Sequence, residues 1–256
     1  MQKRYVSWQN CRVSGRVLEN AGELPGFLPD LLNLPDAGHA RLCKAGNSVK
    51  AAADGTFFVK RYRHRGFLKS LRHIFCPARP LLGIAGALHA EKVSIATPEV
   101  LAGLRQKRFG ILPEYDWLIT RDLGDTAVFA DKMPLTEELA NALIQLLYTM
   151  HSSGMEHGDV NLRNLYFDRQ SERWGIIDLD NCKLFSHPLS RKRCGRELAR
   201  LASSFMKLAE ANGTSLPCSE IPAYFAKQYA SACGWDPDTP AYRKRVEYLA
   251  KRKRKR

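Results

Sequence analysis

The stretch that most constrains this chain runs from His157 to Asp180, HGDVNLRNLYFDRQSERWGIIDLD. It writes two short polar loops, the second delivered by an apolar strand expected at Trp174–Ile177. Asp159 and Asn164 stand five positions apart on the first loop, and Asp178 follows fourteen residues after Asn164. Phosphoryl transfer from ATP asks for this set: a carboxylate beside the attacking hydroxyl, and an amide plus a second carboxylate to hold Mg²⁺. On that reading Asp159 faces the acceptor hydroxyl, Asn164 turns back to the metal, and Asp178 reaches the same ion. Mg²⁺ is a hard cation that keeps water and phosphate oxygens, so one Asp and one Asn suffice. Asp180 either touches a second metal or braces its loop. His157 is assigned to supporting the loop through hydrogen bonds rather than to exchanging protons.

The preceding residues supply the rest of such a site. ARLCK, NSVKAAA and TFFVKRY are short β-prone runs separated by Gly46-Asn47 and by the hairpin signal Asp54-Gly55. Three antiparallel strands with a turn at Gly46 make a lid over a nucleotide, and Lys60, late in the third, matches the strand lysine that pairs with the α- and β-phosphates. A helix is expected over Leu81–Val93, ending before Thr97-Pro98 and followed by a strand at Glu99–Leu104. Glu91 is the only acid on that helix and lies late for an ion pair with Lys60. WLITRDLGD, from Trp117, reads as a buried strand entering a hinge whose backbone meets adenine. Thr136 is the expected N-cap of a helix with Glu137 and Glu138 in its first turn. Leu139, Leu143, Leu147 and Met150 repeat on it at helical spacing, as a core-facing stripe. Another amphipathic helix is expected over Arg196–Leu208, with Leu198, Leu201, Phe205 and Leu208 on one face and Arg196, Arg200 and Lys207 roughly opposite.

Composition bounds the partners. Forty Lys+Arg against 26 Asp+Glu leave a net charge of +14, which favours an anionic partner. The basic residues gather in KRYRHRGFLKSLRHIF, residues 60–75, where aromatics interleave, and in the terminal KRKRKR. No apolar run reaches the ~18–20 residues of a membrane span, and the N-terminus lacks the apolar core of a secretory signal, so cytosolic residence is expected. Seven scattered cysteines with no CxxC pair point away from a disulfide framework or zinc site.

Protein kinases favour Arg after the loop histidine and Lys two residues after the Asp, with Asp-Phe-Gly and Ala-Pro-Glu later. This chain has Gly158, Asn161 and Asp178-Leu179-Asp180, no Ala-Pro-Glu, and little room before the next helix for a peptide platform. A small or glycan acceptor fits better than a protein. At these residues the chain resembles the lipopolysaccharide core kinases: HGDVNLRNLYF, IIDLDNCKL, GRELARLASSFMKL and SIATPEVLAGL are similar to their loop, their Asp-x-Asp, the helix after it and the turn after the first-lobe helix. The similarity covers Arg41 to Leu208 and is most specific over 157–208.

The resemblance implies an α+β, two-lobed protein-kinase-like fold with a small antiparallel-sheet N-lobe and a mainly helical C-lobe. With the reading of the flanking residues, the chain divides into an N-terminal extension (1–40) packed on the N-lobe, the N-lobe (41–121), the C-lobe (122–240) and a basic tail (241–256). The resemblance further implies an ATP- and Mg²⁺-dependent kinase acting on Kdo or heptose of the lipopolysaccharide inner core. Asp159 is then the catalytic residue, Lys60, Gly46 and Glu91 attend the nucleotide, and Asn164, Asp178 and Asp180 the metal. The expected location is the cytoplasmic face of the inner membrane, held by the basic patches on an anionic surface, with nucleic acid not expected as a partner and oligomeric state left open. Two other readings stay open: an atypical protein kinase, and a catalytically silent scaffold that binds polyanions.

Overall fold

The computed structural model describes residues 4–9, 13–19, 41–43, 48–50, 57–64 and 78–252. The chain divides into two compact units, residues 1–88 with 98–124, and residues 89–97 with 125–256.

The first unit is built on a seven-stranded antiparallel sheet: β1 (Tyr5–Gln9), β2 (Val13–Leu18), β3 (Arg41–Cys43), β4 (Ser48–Lys50), β5 (Phe57–Arg63), β6 (Val100–Arg108) and β7 (Leu112–Arg121). Their spatial order is β1-β2-β6-β7-β5-β4-β3. The expected three-strand set of β3, β4 and β5 is present, but its turn at Gly46 lies outside the described residues. Val13, Val17, Val59, Leu101, Leu104, Trp117 and Ile119 form one buried cluster. The other face is covered by α1 (Arg79–Lys92), which starts two residues before and stops one short of the expected span. A Cβ on Gly103 of β6 would come within 2.9 Å of Ile84 and 3.0 Å of Pro80, so the helix packs closely where the strand has no side chain.

Residues 1–40 differ from an extension laid on the lobe. Their described strands enter the sheet itself, β2 pairing with β6 from Val13↔Gln106 to Val17↔Ala102. The Val13, Val17, Leu18 set is short, and its burial depends on β6, some ninety residues away in sequence. Inside β7, Asp116 is fully buried and takes two bonds from Arg105 of β6, at 2.7 and 3.0 Å, with His64 Nε2 at 3.2 Å. Burial by itself would raise this carboxyl; His64 and Arg105 hold it below the usual range.

The second unit is mainly helical: α2 (Glu137–Ser152), α3 (Arg191–Asn212), α4 (Ile221–Cys233) and α5 (Pro240–Lys251). The Thr136 hydroxyl accepts from Leu139 N at 3.2 Å, and Leu139, Leu143, Leu147 and Met150 are all buried, as their spacing requires. A three-stranded sheet follows, with β8 (Ala127–Phe129) and β11 (Arg173–Ile176) flanking β10 (Leu165–Asp168). Segment 89–97 joins this unit through Ala96, which exchanges backbone bonds with Trp174 and Ile176 at 3.1 and 2.9 Å. Helix α3 runs five residues earlier and four later than expected, and its Phe205 meets Phe225 of α4 edge-on at 5.3 Å. No helix among the described residues is long and apolar enough to cross a membrane. The basic runs at 65–75 and 253–256 lie outside the described residues.

Candidate active site

Helix α2 ends at Ser152, and Gly154, at φ +82°, turns the chain into β9 (Met155–Glu156), which pairs with β12 (Lys183–Leu184). A Cβ on Gly154 would run into the Phe185 and His187 carbonyls, so this hook needs glycine. The pairing brings the two ends of the 157–180 stretch together.

His157 is fully buried and works as the expected support. Its Nε2 donates to the Ile177 carbonyl at 3.0 Å, while its Nδ1 accepts from Asp159 N at 3.3 Å. One imidazole therefore spans from the first loop to the strand that delivers Asp178. Gly158, at φ +86°, lies against the second loop: a Cβ there would sit 2.8 Å from the Asn181 carbonyl. Asn161 donates to the Asp159 carbonyl at 2.8 Å and accepts from Arg163 N at 3.1 Å, capping the short 3-10 turn Leu162–Asn164.

Asn164 is nearly buried, its Nδ2 donating to the Asp159 carbonyl at 3.0 Å and its own carbonyl accepting from Ile177 N at 2.9 Å. The amide orientation is thereby set, with Oδ1 left to face away from Asp159. Asp178 is half-buried and adopts φ +67°, a left-handed conformation that Asp tolerates better than bulkier residues, at the entry to the 3-10 turn Leu179–Asn181. Asp180 is buried beneath it, and burial followed by the Asp180 charge pushes the neighbouring Cys182 thiol up to about 12. Asp159 alone is open, its side chain 56% exposed.

The donor set fits Mg²⁺ in kind and number. One fixed amide oxygen and one half-buried carboxylate are hard oxygen donors, few enough to leave most of the shell to phosphate and water. Among the described residues no group of three or more His, Cys, Asp or Glu side chains is placed to hold a metal ion.

Lys60 lies on β5 opposite Leu118, its Nζ 5.2 Å from the Tyr62 ring centroid. Glu91 is exposed in the last turn of α1, within the segment that belongs to the second unit. The second unit thus brings together Asp159, Asn164, Asp178 and Asp180; Lys60 belongs to the first unit, and Gly46 lies outside the described residues.

Sequence reasoning missed what holds the loop. Glu197 of α3 is buried and takes two backbone bonds, His157 N to Oε2 at 2.9 Å and Gly158 N to Oε1 at 2.7 Å. Its Oε2 also stands 3.4 Å from His151 Nε2, and His151 Nδ1 meets the Tyr229 hydroxyl at 2.7 Å. Burial by itself would raise Glu197 and lower His151; their mutual contact, with Cys194 adding to the histidine's side, reverses both. Arg200, expected roughly opposite the apolar face, meets the loop: its Nη1 donates to Asp159 Oδ1 at 2.9 Å. The available signal was the polar series Glu197, Arg200, Ser204 set into an otherwise Leu/Ala-rich helix.

Comparison with known proteins agrees with this geometry. The lipopolysaccharide kinase (Kdo/WaaP) family matches residues 87–220, just over half of the chain. A 3-deoxy-D-manno-octulosonic acid kinase of Vibrio parahaemolyticus is 30% identical over 105 residues, 40% of this chain and 42% of that protein. Its Pasteurella multocida counterpart is 31% identical over 85 residues, 32% of this chain and 34% of that protein. The chain therefore matches less than half the length of these curated relatives. Among solved structures, WaaP in complex with acyl carrier protein aligns with a TM-score of 0.50 and 16% identity, over 83% of this chain and 89% of that one, which shows the protein-kinase-like fold.

Proposed function

Because the chain belongs to the lipopolysaccharide kinase (Kdo/WaaP) family, we propose that it transfers the γ-phosphoryl group of ATP to a hydroxyl of Kdo in the lipopolysaccharide inner core. The observation that carries this reading is the pair of interlocked loops, in which buried groups hold a single open carboxylate, Asp159, beside the amide of Asn164. Kdo is favoured over heptose because the matched relatives bear the name of Kdo kinases.

In this mechanism Asp159 receives the proton of the acceptor hydroxyl as its oxygen attacks the γ-phosphorus. The bond to the β–γ bridging oxygen breaks, and ADP leaves with that electron pair. Asn164 and Asp178 would hold Mg²⁺, which would offset charge on the phosphate oxygens. Lys60 clamps the α- and β-phosphates. Asp180, being buried, braces the second loop. Only residues 182–190 separate that loop from α3, which leaves little room for a peptide platform and favours a small or glycan acceptor.

The deciding experiment incubates purified protein with Mg-ATP and a Kdo-bearing lipid A precursor, with products located by phosphorus NMR. One phosphate on a Kdo hydroxyl is expected, with transfer abolished in Asp159→Ala. Transfer only to heptose would revise the acceptor; no transfer to either, or full activity in Asp159→Ala, would defeat the reading.

Such an acceptor lies in an anionic bilayer, and the chain carries a net charge of +14. The β6–β7 hairpin exposes Phe109 (86%) and Ile111 (65%) beside Lys107 and Arg108. Apolar tips flanked by cations suit an anionic lipid surface, and we assign this hairpin to peripheral docking on it.

A further inference from the structure

Helix α3 follows the catalytic loop step by step. Arg193 and Arg196 reach the Glu156 carboxylate, Arg196 at 3.6 Å. Glu197 takes the His157 and Gly158 amides, Arg200 takes Asp159, and the Ser204 hydroxyl accepts from Leu162 N at 3.2 Å. Positions 193, 196, 197, 200 and 204 recur at three and four residues and so share one helix face. As α3 advances, its partners advance in order from 156 to 162. Four of these five side chains end on backbone amides or on Glu156, groups that take no part in the chemistry. Arg200 ends on the one carboxylate assigned to receive the acceptor's proton.

Asp159 needs such an anchor. Its side chain is 56% exposed, and an exposed carboxylate moves among rotamers unless something holds it. In protein kinases a lysine two positions after the Asp is favoured; here that position is Asn161, spent on the Asp159 carbonyl and on capping Arg163 N. The cation comes instead from forty-one residues later in the chain. A guanidinium is suited to this because its planar donors fix direction as well as charge, which a lysine ammonium does not.

We propose that Arg200 is a positioning residue for Asp159, holding Oδ1 so that Oδ2 is presented to the acceptor hydroxyl in line with the γ-phosphorus. The inference rests on the kinase reading above. It places the proton-accepting geometry of the active site in α3 rather than within the loop motif. The pair is open enough that its loss has little effect on stability. Its loss acts on the reaction, where a displacement of ~1 Å costs on the order of 100-fold.

The test uses the full chain with Mg-ATP and the Kdo-bearing lipid A precursor, comparing wild type with Arg200→Ala, Arg200→Gln and Arg200→Lys. Arg200→Ala is expected to lower kcat on the order of 100-fold, with KM for ATP changed less than about three-fold and little shift in Tm. Arg200→Lys should recover part of the loss, and millimolar methylguanidine should restore activity to Arg200→Ala but not to wild type or Asp159→Ala. If Arg200→Ala is poorly folded, Arg200→Gln, which keeps the bulk and a donor but no charge, carries the same expectations. A kcat within three-fold of wild type in the folded Ala or Gln variant would overturn the role of Arg200 alone, as would a loss confined to KM for ATP. A wild type that transfers phosphate to neither a Kdo nor a heptose acceptor defeats the kinase reading and this inference with it; transfer only to heptose revises the acceptor, and the same variants are then compared on that one.

Discussion

At the residue scale, the site depends on a buried charge pair that never touches substrate. Glu197 holds the backbone of His157 and Gly158, and His151 holds Glu197. Removing one partner of a buried pair strands the other, so Glu197→Gln is expected to destabilise the fold by about 3 kcal/mol, measured by denaturant unfolding near neutral pH. The pair also sets a pH window. Glu197 is held below its ordinary value of 4.5, so its contribution is present above that pH and is lost as pH falls through the folded value. His151 is raised above 6.5, so its contribution is full below that pH and is lost as pH rises through the folded value. Stability from this source is therefore greatest between the two ordinary values and falls on both sides. Unfolding free energies measured across that range should show this dome in wild type and a flattened one in Glu197→Gln. The catalytic loop was legible because its groups are neighbours in sequence; Glu197 was not, because nothing local marks a helix glutamate as buried.

At the element scale, two loops are pressed together at Gly158. The sequence comparison marks Gly158 only as a departure from the Arg of protein kinases, whereas the structure gives it two reasons: its φ of +86° and the Asn181 carbonyl 2.8 Å from where a Cβ would be. Gly158→Ala is expected to cost more than the ~1–2 kcal/mol of a left-handed non-glycine residue, read as a fall in Tm, and to reduce phosphoryl transfer with it. Helix α2 is a simpler case. Its cap and stripe were readable from residues 136–150 because an amphipathic helix writes its buried face at a fixed period. Thr136→Ala should lower stability by about 1 kcal/mol with kcat unchanged. Unchanged stability would show that the helix N-terminus is satisfied by another group.

At the scale of the whole molecule, the proposed docking on an anionic surface rests on charge and exposed apolar side chains. Phe109→Ser with Ile111→Ser should reduce co-sedimentation with anionic vesicles while leaving transfer to a detergent-dispersed acceptor intact. High salt should weaken the wild-type binding without abolishing it, since screening acts on the cations and not on the apolar side chains that insert into the surface. Binding that is indifferent to both changes would remove the hairpin from the membrane surface.

The sequence by itself determined the family resemblance and the placement of Asp159, Asn164 and Asp178 on two adjacent loops, along with the helix that precedes them and the strand that delivers Asp178. Those features are written within a few residues of one another, where spacing already fixes which side chains share a loop, a strand or a helix face. Only the tertiary structure decided that β2 enters the sheet beside β6, that Asp116 is neutralised by Arg105 and His64, and that α3 holds the loop through Glu197, Arg200 and Ser204. Periodicity reports which face of an element is apolar. It does not report which distant polar group completes a buried one, and that partner is set by packing.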